Sequence, residues 1–367
     1  MLGVATGVCI RAFKLEELKR DACVLDVCSD PNGFLSSFQN DPSLVFDNPN
    51  AQSEDVALII ALDGQIIVGR LGLYPGKVIY NGTVTKVYWL SEFSLKDEYK
   101  ATGAGGMLLL KALSFKTPLL ACGAPSVELE KVYLKVGFKR LGPLKRYIYF
   151  YDAGVIARRY IPVSFVAQMV SGVITQALAW YYRSKRGTRR HELTYRGVSG
   201  FDEAITELFS AETRNRCEKD FQTLNWVLRH NRAEAFEIYD GDELVGYCIV
   251  KTMKFTLEGS RAPLDMKLGT LLDYYVKYAR SEILEDLLMF CVDHFSRRGL
   301  DIFEFQLCEE RFWRVCNQHG LTQLGGNRVF YRSGPGGELQ NDQGWFLTHG
   351  TADAILRGHE GFPQSQI

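Results

Sequence analysis

The strongest constraint on how this chain folds is that it repeats itself. Residues 55–75 read DVALIIALDGQIIVGRLGLYP, and residues 234–251 read EAFEIYDGDELVGYCIVK. In each, two β-prone runs are joined by an Asp-Gly pair, Asp63-Gly64 or Asp240-Gly241. The Asp-Gly pair precedes Val68-Gly69 or Val245-Gly246 at the same spacing, an offset of 177. Asp-Gly between such runs is a hairpin signal, because the tight turn needs positive φ. A long strand follows, VYWLSEFSL (87–95) or GTLLDYYV (269–276), then a helical run, GGMLLLKALSF or SEILEDLLMFCVDHFSRRG. Here Glu92 and Asp273 stand three residues before Leu95 and Val276, an offset of 181. Each copy continues with a strand, a helix ending in VYLKVGFKRLG (132–142) or VCNQHGLTQLG (315–325), and a closing strand, RYIYFY or RVFYR. Period-2 and period-3.6 patterns alternate in the same order twice, which predicts two copies of one α/β (α+β) unit in tandem.

The boundaries follow: 1–152 for the first lobe, 153–195 for a linker, 196–334 for the second lobe and 335–367 for a tail with the short strand-like QGWFLTHG. A length of 367 residues suits two domains, and 46% apolar residues with 11 prolines exclude disordered and collagen-like classes. Lys plus Arg equals Asp plus Glu at 43 each, so no overall field draws the chain to nucleic acid, and no nucleic-acid partner is expected. Nine cysteines, an odd number scattered through apolar segments, read as reduced thiols, and MLGVATGVCIRAFKLEELKR has no basic n-region. A cytoplasmic location is the expectation.

The linker carries 23 uncharged residues, Tyr160 to Tyr182, between Arg159 and Arg183. As a helix they span about 34 Å, enough to cross a bilayer. Yet Ser164, Gln168, Ser171, Gly172, Thr175 and Gln176 fall on one helical face. Three readings are open. The helix packs on the lobes, or it makes a peripheral membrane contact through 160–182, with Trp180, Tyr181 and Tyr182 beside Arg183, Lys185, Arg186, Arg189 and Arg190. A crossing helix, the third, would leave the lobes on opposite sides.

In LKDEYKATGAGGMLLLKAL (95–113) a strand end runs through Gly103, Gly105 and Gly106 into a helix. Glycines there let the backbone approach an anion, with the helix N–H groups and dipole behind it. No Gly-Lys-Ser/Thr follows, so it is not a P-loop. The segment resembles the coenzyme A pyrophosphate loop of the GCN5-related N-acetyltransferase (GNAT) superfamily, V-x-P-x-x-R/Q-x-x-G-x-G/A, on which Leu95, Lys100, Gly103 and Gly105 fall in register. Lys100 replaces the usual Arg or Gln and Asp97 the usual Pro. VYLKVGF (132–138) is similar to the Y-x-x-x-G-F ending of the family's last core helix.

The resemblance implies tandem GNAT-like units with mixed, splayed sheets, and acetyl-CoA or another acyl-CoA as co-substrate. It places the donor on Ser94, Leu95, Lys100, Ala101, Thr102, Gly103, Ala104, Gly105 and Gly106. Backbone N–H groups after a bulge near Ser94-Leu95 would face the thioester carbonyl. Gly105 is expected where pyrophosphate meets the backbone. Tyr133 takes the role of the acid that protonates the departing thiolate. The family's usual base positions hold Ser91 and Trp89. Glu92 is the nearest carboxylate, on the other strand face unless a bulge intervenes; a structural carboxylate and a water chain are the alternatives.

The second copy has Val276, Ser281, Leu284 and Asp286 where the first has Leu95, Lys100, Gly103 and Gly105, and Cys316 at the place of Tyr133. It is expected to lack a conventional coenzyme A site and to help shape the acceptor site. Cys308, Cys316 and His319 read as packing residues, and no metal is expected. The reading is an N-acyltransferase acting on a small-molecule amine. Similar tandem proteins with a tryptophan-led strand near the end, as in Trp345 to Thr348, point to an amino sugar or amino acid in envelope polysaccharide metabolism. A non-catalytic GNAT-like binding module and a Fem-type aminoacyl ligase are the alternatives.

Overall fold

In a computed structural model, the described residues are 7–20, 43–123, 127–152, 154, 164–185, 193–210, 212–257, 264–277, 280, 282–334 and 345–348. The first copy runs β1 (Val8–Lys14), α1 (Leu15–Arg20), α2 (Ser43–Phe46), β2 (Val56–Asp63), β3 (Ile66–Tyr80), β4 (Thr83–Leu95), α3 (Ala104–Ser114), β5 (Leu119–Cys122), α4 (Val127–Lys135) and β6 (Lys139–Phe150). The linker helix is α5 (Ser164–Lys185). Next come β7 (Thr194–Val198), α6 (Ala204–Glu207), β8 (Asn215–Cys217), α7 (Phe221–Asn231), β9 (Glu234–Asp240), β10 (Glu243–Leu257) and β11 (Leu264–Val276). They are followed by α8 (Glu282–Arg297), β12 (Ile302–Leu307), α9 (Glu310–Gln318), β13 (Thr322–Arg332) and β14 (Trp345–Phe346).

Both predicted hairpins form, β2 on β3 and β9 on β10. The strand order β1-β2-β3-β4-β5 is answered by β7-β9-β10-β11-β12, with antiparallel neighbours until the last pair, which is parallel. Each Val-Gly marks a place with no room for a side chain. A Cβ on Gly69 would stand 2.5 Å from a Leu95 methyl, and one on Gly246 would stand 2.4 Å from the Tyr275 carbonyl oxygen. Helix α3 buries Ala104, Leu108, Leu109 and Ala112 at i, i+4, i+5 and i+8, the spacing of one face. That face packs with Ile59, Val68, Leu71, Leu90 and Leu119 in the core of the first copy.

The compact units do not follow the boundary expected near residue 152. One comprises 1–142, 214–218 and 328–344; the other comprises 143–213, 219–327 and 345–367. The closing strand of each copy therefore lies largely in the unit of the other. Val329 to Arg332 of β13 pair antiparallel with β5, and Lys145 to Phe150 of β6 pair antiparallel with β12. A closing strand that reads well in sequence does not say which parallel partner it will flank, because the same alternating apolar pattern suits either.

Each parallel pair splays. β4 and β5 pair only from Tyr88/Leu119 to Leu90/Ala121, although β4 runs on to Leu95. β11 and β12 pair only from Leu268/Ile302 to Thr270/Glu304.

Candidate active site

The cleft of the first unit is shaped by an irregularity in β4. Gly72 pairs with Ser91 and Arg70 with Ser94, so Glu92 and Phe93 together face Leu71. Glu92 carries the extra turn with φ of 53°. This is the bulge on which the Glu92 expectation depended, set two residues earlier than expected; Ser94 and Leu95 lie after it, paired with Arg70 and Gly69. Its carboxylate lies 3.8 Å from Arg70 Nε, with both side chains about 10% exposed (10% for Arg70, 9% for Glu92). Arg70 was missed by the sequence reading. Its signal was an arginine inside the apolar run of a central strand, where a charge needs a partner.

The loop after β4 folds back on itself. Lys96 N–H donates to Val68 O (3.0 Å), Lys100 N–H to Asp97 O (3.2 Å) and Thr102 N–H to Tyr99 O (3.1 Å). The Thr102 hydroxyl donates to Tyr99 O at 2.8 Å, and the Tyr99 hydroxyl donates to Asp63 Oδ2 at 2.6 Å, tying the loop to the hairpin. Gly103, φ 86°, caps α3 in the left-handed region that favours glycine. The N–H groups of the first helical turn, Gly105 and Gly106 among them, have no acceptor within the helix.

Two expected roles change. Lys100 Nζ lies 2.6 Å from Asp97 Oδ1 on the exposed face of the loop, and its hydrogen bond holds the Asp97 carboxyl below the usual carboxylate range. The extra negative charge is thus balanced locally. A side chain at Gly105 would not enter open space: a Cβ there would meet Leu95 at 2.8 Å and Phe93 at 3.2 Å, whereas at Gly106 nothing lies within 4 Å. Gly105 lets α3 approach β4, and Gly106 borders open space.

Tyr133 is 4% exposed and belongs to the core of its unit. Its ring lies 4.9 Å from Phe138 and 5.4 Å from Phe330 on the exchanged β13. The Y-x-x-x-G-F match has a local cause. Gly137 (φ 93°) ends α4, with Gly137 N–H bonded to Leu134 O and Phe138 N–H to Tyr133 O. This is a left-handed cap with its usual apolar contact across it. Cys316, Gly320 and Leu321 repeat it, with Gly320 φ of 74° and Leu321 N–H bonded to Cys316 O.

The second copy repeats the bulge within one residue, at Leu272, since Ile249 pairs with Asp273 and Val250 with Leu271. Leu284 and Asp286 are not loop residues. Both are buried inside α8, and Asp286 Oδ2 accepts from the Tyr195 hydroxyl at 2.9 Å. Ser281 lies outside the described residues. The gap between β11 and β12 holds the 345–348 segment. Thr348 bridges Leu307, and its hydroxyl donates to Asp273 Oδ1 at 2.6 Å. Asp273 also takes Lys219 Nζ at 2.5 Å and the Tyr247 hydroxyl at 3.2 Å, all buried. Cys308 Sγ accepts from Leu347 N–H at 2.9 Å. His319 Nε2 meets Glu285 at 3.1 Å, and burial pushes the Cys316 thiol up.

A GCN5-related N-acetyltransferase from Anabaena variabilis ATCC 29413 superposes with a TM-score of 0.56 over 88% of this chain and 72% of its own, at 12% identity. Saccharomyces cerevisiae N-myristoyltransferase with bound myristoyl-CoA gives 0.56 over 91% and 85%, at 10% identity. The fold is that of the GNAT superfamily. A conserved protein of unknown function from Enterococcus faecalis V583 superposes on this GNAT fold at 0.55 over 89% and 73%, at 11% identity. No family model and no curated protein matches the sequence itself.

Proposed function

We propose that the first unit binds an acyl-CoA and transfers its acyl group to the amine of a small molecule. The observation that carries this is an asymmetry between two equivalent clefts. In the first, the splayed β4/β5 pair, a bulge and the glycine-capped N-terminus of α3 occur together, with open space over Gly106. In the second, α8 begins earlier relative to the strand and residues 345–348 bridge the strands.

The α3 N-terminus suits a pyrophosphate, because its first N–H groups are unpaired within the helix and the dipole favours an anion. A thioester carbonyl held against the bulged strand would find fixed backbone dipoles where negative charge develops. Glu92, held by Arg70, is the group we assign to accept the proton of the attacking amine. The nitrogen then bonds the carbonyl carbon, the C–S bond breaks, and Tyr133 is assigned to protonate the thiolate. By the sequence resemblance, amino sugars and amino acids are the acceptors to try first. Release of free thiol from acetyl-CoA in the presence of an amine panel tests the reading. Turnover requires the wild-type protein and is lost in Glu92→Gln.

A second reading, binding without turnover, is favoured by the Lys100–Asp97 pair and the burial of Tyr133. It predicts a thermal shift with acetyl-CoA and no thiol release with any amine.

A further inference from the structure

Helix α5 turns the wrong face outward for a helix that merely packs. Its inward side carries Ser171, Leu178 and Tyr182, the last stacked on Tyr149 with ring centroids 4.0 Å apart; Thr175 beside them donates to Asp152 at 3.3 Å. On the opposite side Met169, Val173 and Trp180 are 60%, 68% and 72% exposed. Their spacing of four and seven places them in one stripe. An apolar stripe turned to water, broken by exposed Gln176, with Ser171 and Thr175 turned to protein, marks a surface that something covers.

Charge says what. Between Asp152 and Glu192 the sequence has seven Lys or Arg and no Asp or Glu. Arg183 and Lys185 lie in the last turn of α5 itself. Among the described residues no helix is long and apolar enough to cross a membrane. An exposed tryptophan, an apolar stripe and adjacent cations fit a helix lying in the interface of an anionic bilayer. We infer that α5 docks the protein on anionic lipid through Met169, Val173 and Trp180, with Arg183 and Lys185 at the headgroups. The inference does not depend on acyl transfer.

The test is flotation of the full-length protein with vesicles of phosphatidylcholine alone or mixed with phosphatidylglycerol, at low and high salt. Co-flotation with the mixed vesicles only, weakened by salt, is expected. Val173→Glu and Trp180→Glu should each abolish it, while Arg183→Gln with Lys185→Gln should lower partitioning about 30-fold. All four positions are solvent-facing, so unchanged melting temperatures will certify the fold. Absence of flotation, equal flotation on neutral vesicles, or wild-type behaviour of the glutamate variants overturns the inference. So does a dimer by light scattering that Val173→Glu dissociates, since the stripe would then face a second copy.

Discussion

Two neighbouring glycines of the first copy do different jobs, and substitutions separate them. At Gly105 a side chain collides with Leu95 and Phe93, so Gly105→Val is expected to destabilise by about 1–3 kcal/mol, the usual cost of overpacking. At Gly106 there is open space. Gly106→Val should keep the melting temperature and weaken acetyl-CoA binding at least tenfold by calorimetry, because the side chain would stand over the helix N-terminus. Equal affinity in Gly106→Val would place the donor elsewhere. Tyr133→Phe keeps the ring between Phe138 and Phe330 and removes only the hydroxyl. If Tyr133 protonates the leaving thiolate, kcat falls by about 10²–10⁴ with KM for the donor little changed. An unchanged kcat assigns Tyr133 to packing alone.

At the scale of elements, the exchanged strand β6 is held to β12 by a buried ion pair. Arg146 Nη2 lies 2.5 Å from Glu304 Oε2, with side chains 10% and 3% exposed. Burial pushes the Glu304 carboxyl up, and Arg146 opposes that shift. Arg146→Met should cost about 3–5 kcal/mol near neutral pH, because it leaves a buried carboxylate unpaired. Urea melts of Arg146→Met and of Arg146→Met with Glu304→Leu check this, the double variant recovering most of the loss. The sign with pH follows from the raised folded value. The folded state takes up the proton at higher pH than the unfolded chain, so the penalty of the single variant shrinks as pH falls through that value. A penalty constant down to pH 4 would mean that Glu304 is not the buried charge at issue.

At the scale of the molecule, two parallel strand pairs splay in the same strand order, and residues 345–348 bridge one of them. Removing residues 345–367 would uncover the Lys219–Asp273 pair, whose side chains are 2% and 3% exposed, and deprive Asp273 of the Thr348 hydroxyl. Loss of that hydrogen bond alone costs about 1–3 kcal/mol, so the truncated protein should melt earlier. It should still bind one acetyl-CoA per chain, because α8 buries Leu284 and Asp286 at the positions aligned with the loop glycines Gly103 and Gly105. A calorimetric stoichiometry of two would show that the terminal segment, not the helix start, suppresses the second site.

Both hairpins, the glycine-capped start of α3 and the helix ends at Gly137 and Gly320 were legible in the sequence, because each rests on residues close together in the chain. Turn φ angles, helix ends and strand alternation are local physics. The bulge at Glu92 was legible only as a condition: a bulge adds one residue to one strand, and its place depends on the partner strand. The Arg70 partner, the inward aim of Gly105, the exchange of β6 and β13 and the seating of Thr348 on Asp273 depend on residues brought together from different elements, 196 apart in the chain for Arg332 on Val136. The helix of the linker was foreseeable from its composition, but which face it shows to water was not. Only tertiary packing decides which of two plausible neighbours a strand or helix face will meet, since each pattern fits several partners and the choice is made by the volume and charge that the rest of the fold leaves open.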